Sequence, residues 1–281
     1  MQGRTRYVSI QLGIGGLVPF DAKSVEKNGF GDCKALSNYM GALLDEVGIP
    51  NFYTLIHAGE QNKPFFSAFP ADYFNHAILA VPLEQDTVFL ECTSQQTPFG
   101  FLGDFTSDRH ALLITPEGGK LVKTPTYRAE VNRQKQVGNF QLDEGANLSG
   151  HVSMTRSALQ SNLGGMLQLP YAKESAKMDW IQRMYRLPGL SVADYGFERS
   201  GNLLPEIHFQ AELQAKKVGQ LAGGRIILQP NQWNTLETGL RPAKETRESP
   251  FRISMGYTDE DEISYALPAG SKWISCPNRW C

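Results

Sequence analysis

Cys33 is the residue whose setting points most directly to chemistry. It follows Gly31 and Asp32 and opens residues 33–47, where Leu36, Tyr39, Met40, Leu43, Leu44 and Val47 recur at helical spacing. Asp32 is the expected N-cap, and Gly48 with Pro50 two residues on is a stop signal. Unpaired N–H groups and the positive end of the helix dipole favour a thiolate in a first turn. Such a nucleophile needs a base and a third group to orient that base. His76 lies near the start of an alternating apolar run, residues 74–83, and a second run covers Thr87 to Thr93. The polar Glu84 to Thr87 turn between them predicts a hairpin. With Leu83 opposite Val88 and Ala80 opposite Glu91, Glu91 shares a face with His76 without facing it. The same register puts Gln95 opposite His76. Glu91 is the preferred orienter, reached through a bulge or a register shift, with Gln95 and Thr93 as substitutes.

The elements that must position these groups form a recognisable series. Gly31-Asp-Cys-Lys34 opens a helix that ends in Val47-Gly-Ile-Pro50; Asn75-His-Ala77 and then Phe89-Leu-Glu-Cys-Thr-Ser94 follow. This order resembles the transglutaminase-like core, a papain-related cysteine acyl-transfer fold. The resemblance implies that Cys33 is the nucleophile, His76 the base and Glu91 the residue at the family's aspartate position. Two departures stand out: Glu91 replaces aspartate, and Cys92 takes the usual place of proline. Arg4 to Gly16 resembles the lead-in of this core in bacterial envelope proteins, where it lies between β-rich domains of unassigned function. That likeness implies a periplasmic or cell-envelope location.

Composition sets the outer bounds. The chain has 281 residues, enough for two domains. A net charge of −2 makes no electrostatic case for nucleic acid or anionic lipid. No apolar run approaches a membrane span, and the N-terminus has no signal-peptide pattern. Met1-Gln-Gly-Arg begins abruptly and Asn278-Arg-Trp-Cys281 ends without a finished element, so the chain reads as a piece of a longer protein. The four cysteines, at 33, 92, 276 and 281, make no metal or redox motif. Cys276 and Cys281 read as part of a short terminal loop rather than a pair, and Cys92 reads as core filler on the strand face opposite Glu91. A zinc site built from Cys33, His57, His76 or His110 lacks any supporting spacing, and no cofactor is implied.

In chain order, residues 5–12 read as a strand with Tyr7, Ser9 and Gln11 on one face. Tyr7 or Gln11 is a conceivable oxyanion donor, though ordinary sheet residues is the better reading. Residues 51–56 are a strand, and His57 is a surface residue at its end. Phe65, Phe66, Phe69 and Tyr73 in the following loop pack on the core, with a groove wall as the alternative. Asp108 to His110 is a solvated corner before a 111–114 strand, a turn at 116–119 and a 120–122 strand. The boundary falls near Thr124-Pro125. Beyond it, residues 147–154 and 207–213 alternate as half-exposed strands carrying His151 and His208. Lys173 to Tyr185 is an amphipathic helix, Arg225 to Leu228 is a buried strand and Phe251 to Tyr257 is another. The acidic run Asp259 to Glu262 is a solvated turn without the glycine of a calcium loop.

The whole reads as an α+β chain. Residues 1–124 form a transglutaminase-like core lacking its N-terminal part, and residues 125–281 form a β-rich accessory domain truncated at its end. The expected activity is cysteine-dependent acyl transfer on a peptide or protein substrate, by a peptidase, amidase or transglutaminase, with hydrolysis preferred because no amine site is visible. The rival is an inactive scaffold whose β-rich domain binds an envelope protein or glycan. No nucleic-acid partner is expected, and the sequence sets no oligomeric state.

Overall fold

The structure, a computed structural model, describes residues 1–59, 65–69, 71–233 and 253–274. Near the N-terminus β1 (Arg6–Tyr7) runs parallel to β2 (Phe30–Gly31), with helix α1 (Ala22–Asn28) between them. The expected strand over residues 5–12 is therefore only two residues long. Past Tyr7 one further bond, Val8 N–H to the Gly31 carbonyl at 2.9 Å, continues the pairing, and Gly13–Gly16 then forms a 3-10 turn. Helix α1 escaped sequence reading because it is seven residues long and buries only Val25, too little to show a period. It starts at Asp21, whose carboxylate accepts the Ser24 N–H, and stops at Gly29, whose φ of 69° is a left-handed cap. Helix α2 (Cys33–Glu46) follows almost at once.

Five antiparallel strands build the first sheet: β3 (Phe52–Ile56), β4 (His76–Pro82), β5 (Thr87–Leu90), β6 (His110–Thr115) and β7 (Gly118–Lys123), in the order β5-β4-β3-β6-β7. Helix α2 covers one face, where Ala35, Leu36 and Tyr39 pack with Val25, Leu79 and Cys92. The other face carries Ile56, Ile78, Ala80, Phe89, Leu102, Ala111 and Leu113. Strand β4 is thus buried on both sides, which is why it reads as a continuous apolar run. Cys92 is core filler, as expected.

The second half is a second five-stranded sheet of β8 (Arg133–Leu142), β9 (Leu148–Ser157), β10 (Ser191–Ser200), β11 (Glu206–Ala215) and β14 (Thr258–Ala266), in the order β10-β11-β9-β8-β14. Helix α3 (Glu174–Met184) and a 3-10 stretch, Ala158–Tyr171, cover its apolar face through Met166, Leu167, Trp180 and Ile181. The remaining pair, β12 (Gln220–Ala222) and β13 (Arg225–Ile227), is a small exposed hairpin, so the 225–228 run is not the buried strand its composition suggested. Asp259 to Glu262 is likewise no turn. It lies in β14, which pairs in parallel with β8 at the sheet edge. Its four consecutive carboxylates belong to a largely exposed edge strand, with only Asp261 half-buried among them. Residues 253–257 are irregular; Phe251, Arg252, Cys276 and Cys281 lie outside the described residues. The fold is α+β and β-rich, with antiparallel sheets and few helices. Among the described residues no helix is long and apolar enough to cross a membrane.

Candidate active site

Asp32 caps α2 as the sequence predicts, accepting the Ala35 N–H at 3.0 Å, and Lys34 pairs with the same carboxylate. Cys33 therefore occupies the first helical position, where its own backbone N–H has no intrahelical acceptor. It is 7% exposed. One peptide of β4 anchors this end of the helix to the sheet. The Ala77 N–H donates to the Cys33 sulfur, while the Ala77 carbonyl accepts the Ser37 hydroxyl at 3.1 Å, one helical turn on.

His76, the first residue of β4, is hydrogen-bonded to the Cys33 thiol on one side and to Glu91 on the other. Its Nε2 meets Glu91 Oε2 at 3.0 Å, and the two side chains are 10% and 0% exposed. With Nε2 engaged by the carboxylate, Nδ1 is the nitrogen left to serve the thiol. The hairpin register explains how Glu91 arrives. Val81 faces Val88 and Ala80 faces Phe89, two residues off the expected pairing. A slip of two preserves which residues share a face. It brings Glu91 level with Ile78, one step along the same face from His76, within the diagonal reach of long side chains. The bond Leu83 N–H to Asp86 C=O, 2.7 Å, closes a tighter connection than the four-residue turn inferred, with only Glu84 and Gln85 between the bonded residues, and sets that slip.

The two substitutes for Glu91 have other work. Gln95 turns away and donates to the Thr5 carbonyl at 2.5 Å. Thr93 holds the far oxygen of Glu91, through its N–H at 3.1 Å and its hydroxyl at 2.5 Å.

The electrostatics follow from these contacts. Burial pushes the Cys33 thiol up, but the hydrogen bond and positive charge of His76 and the Ala77 N–H outweigh it, and the net shift is downward. Asp32 opposes that shift by its charge, which Lys34 partly neutralises. Burial alone would lower His76. Its bonds to Cys33 and Glu91, with their charges, instead raise it to about 9. Thiolate and imidazolium therefore stabilise each other. Cys92 shows the contrast: burial and the nearby Glu91 charge push its thiol up to about 12, leaving it inert.

Four surrounding residues were misjudged or missed. Arg109, placed by sequence in a solvated corner, is 3% exposed. Its guanidinium donates to the carbonyls of His57, Ser107, Asp104 and Gly59, tying the end of β3 to the loop before β6. His57 is correspondingly half-buried against Arg109 and is not a free surface residue. That loop carries Phe105, whose ring packs on His76 with centroids 5.8 Å apart. Tyr53 on β3 is the fourth. Burial raises its phenol, and so do the charges of Cys33 and Asp32, so it belongs to the surroundings of the thiol. Nothing in a Phe-Tyr-Thr-Leu-Ile strand distinguishes it. Phe65 packs on Tyr73, Phe74 and His110, whereas Phe66 and Phe69 are exposed. Tyr7 and Gln11 are exposed, and the Gln11 amide bonds Ser9. Among the described residues no cluster of three or more His, Cys, Asp or Glu could hold a metal ion.

No family model matches the chain, and no curated protein matches it. Among solved structures it is similar to a putative protease from Parabacteroides distasonis ATCC 8503, at 10% identity and a TM-score of 0.34. The match covers 76% of this chain and 44% of that one, so the chain spans less than half the length of this relative.

Proposed function

We propose that the chain is a cysteine-dependent acyl transferase acting on peptide or amide bonds, with Cys33 as nucleophile, His76 as general base and acid, and Glu91 as the group that orients His76. The observation that carries this reading is the continuous contact series from a helix-initial thiol through a buried histidine to a fully buried carboxylate. The sequence resemblance to transglutaminase-like cores supports it. In this reading residues 1–124 are such a core, residues 125–281 are an accessory β-rich domain, and the protein works in the periplasm or cell envelope.

The chemistry follows from the residue types. His76 Nδ1 takes the thiol proton, and the thiolate attacks the amide carbonyl carbon. The oxyanion forms beside the backbone N–H of Cys33, already oriented by the helix. The His76 imidazolium then protonates the leaving amine, the C–N bond breaks and a thioester remains. Water, deprotonated by His76, attacks the thioester and releases the acid and the thiol. An amine in place of water would complete a transamidation. Hydrolysis requires no second binding site and is the preferred outcome.

The alternative is a non-catalytic scaffold, and the burial of Cys33, 7% exposed, is the observation that favours it. The pH dependence of Cys33 alkylation, read site by site by mass spectrometry in wild type and His76→Ala, separates the two. An unperturbed thiol reacts with a midpoint near about 8.5. The enzyme reading expects fast labelling at pH 6 that His76→Ala slows. Labelling only at alkaline pH, or only on unfolding, would leave the scaffold.

A further inference from the structure

We infer that Thr93 is the positioning residue that lets a glutamate orient His76, by deciding which carboxylate oxygen the histidine meets. The inference rests on the roles proposed above for Cys33, His76 and Glu91. A glutamate has one more rotatable bond than an aspartate, so its carboxylate sweeps more positions and is costlier to hold still. Here both Thr93 donors converge on one oxygen, Oε1, the N–H at 3.1 Å and the hydroxyl at 2.5 Å. The other oxygen is then presented to His76 Nε2 at 3.0 Å. The carboxylate is fully buried, which makes these donors its surroundings in place of water. Hydrogen bonds to an anion are shorter and stronger than neutral ones, so the pair is an effective clamp.

The local backbone makes the clamp possible. β5 ends at Leu90, so residues 91–93 leave the ladder and the Thr93 N–H is released from strand pairing. It turns back on Glu91 instead. The extra methylene of glutamate is thereby folded into a fixed loop, and the hydroxyl is the part of the clamp that the side chain supplies.

The test uses the full chain and two readouts, the pH profile of Cys33 alkylation by iodoacetamide and the titration of the His76 ring by NMR. Thr93→Val keeps shape and removes the hydroxyl. It should move the Cys33 profile to higher pH by roughly half to one unit and lower the His76 midpoint by a similar amount. Thr93→Ser should restore both. Should Thr93→Val not fold, Thr93→Ala against Thr93→Ser carries the same comparison. Profiles that superimpose on wild type, or a serine that fails to restore them, overturn the role of Thr93 while His76→Ala still shifts Cys33. If His76→Ala itself leaves Cys33 unchanged, the proposed active site is what fails.

Discussion

Each of the two sheets holds a histidine against a carboxylate, and the two pairs differ in almost nothing but their surroundings. His76 Nε2 lies 3.0 Å from Glu91 in the first sheet, and His151 Nδ1 lies 3.1 Å from its direct cross-strand partner Glu212 in the second. The side chains of the first pair are 10% and 0% exposed, whereas those of the second are 42% and 54% exposed. Water and salt compete for every charge of an exposed pair, so it orients little. Inside the first sheet the carboxylate has no water to turn to, and its preference for a cation is passed to the imidazole and from there to a thiol. The contact distance alone therefore says little about chemistry; burial and a third group in line say much more.

Replacing the carboxylate by an amide is the sharpest way to break this comparison. Glu91→Gln should lower kcat/KM on an amide substrate by about 10⁴-fold, since the histidine then loses its charge partner and tautomer control. Glu212→Gln should leave the same rate unchanged. Equal effects of the two substitutions would mean that burial is not what separates the pairs.

A smaller effect appears in stability against pH. His76 titrates near 9 in the folded chain against an ordinary 6.5, so the folded state holds its proton across that window. Its contribution is fully present below about pH 6.5 and lost as pH rises toward 9. Cys33 runs the other way, because its folded value is lowered and its contribution is lost as pH falls through that value. Cys33→Ser removes this opposition. In that background Glu91 alone still holds the His76 proton, so urea midpoints should decline as pH rises above 6.5 over a narrower window than in the pair, and adding His76→Ala should flatten the decline. The smallest effect belongs to the second sheet. His151→Ala and His208→Ala should change unfolding free energy by no more than about 0.5 kcal/mol and leave Cys33 alkylation untouched.

Particular residues show what could be read in advance. The helix opening at Cys33 was legible because a cap, an apolar period and a glycine–proline stop all lie within residues 32–50. His76 and Glu91 were legible as one strand face, since alternation survives any even slip. Their contact was not, because the expected turn put the register two residues out. Arg109 was misplaced because a charged residue between polar neighbours looks solvated, and only the fold brings four carbonyls around its guanidinium. The acidic run at 259–262 read as a turn because its partner strand, β8, lies more than a hundred residues earlier.

Local interactions decided the elements: the capped helix that carries Cys33, the hairpin that carries His76 and the strand faces. These depend on neighbours a few residues apart, and sequence order records such neighbours directly. Only the tertiary structure decided the meeting of Cys33 with His76, the exclusion of water from Glu91 and the Arg109 tie. Each of those depends on how distant segments share space and solvent. A linear pattern holds no record of that.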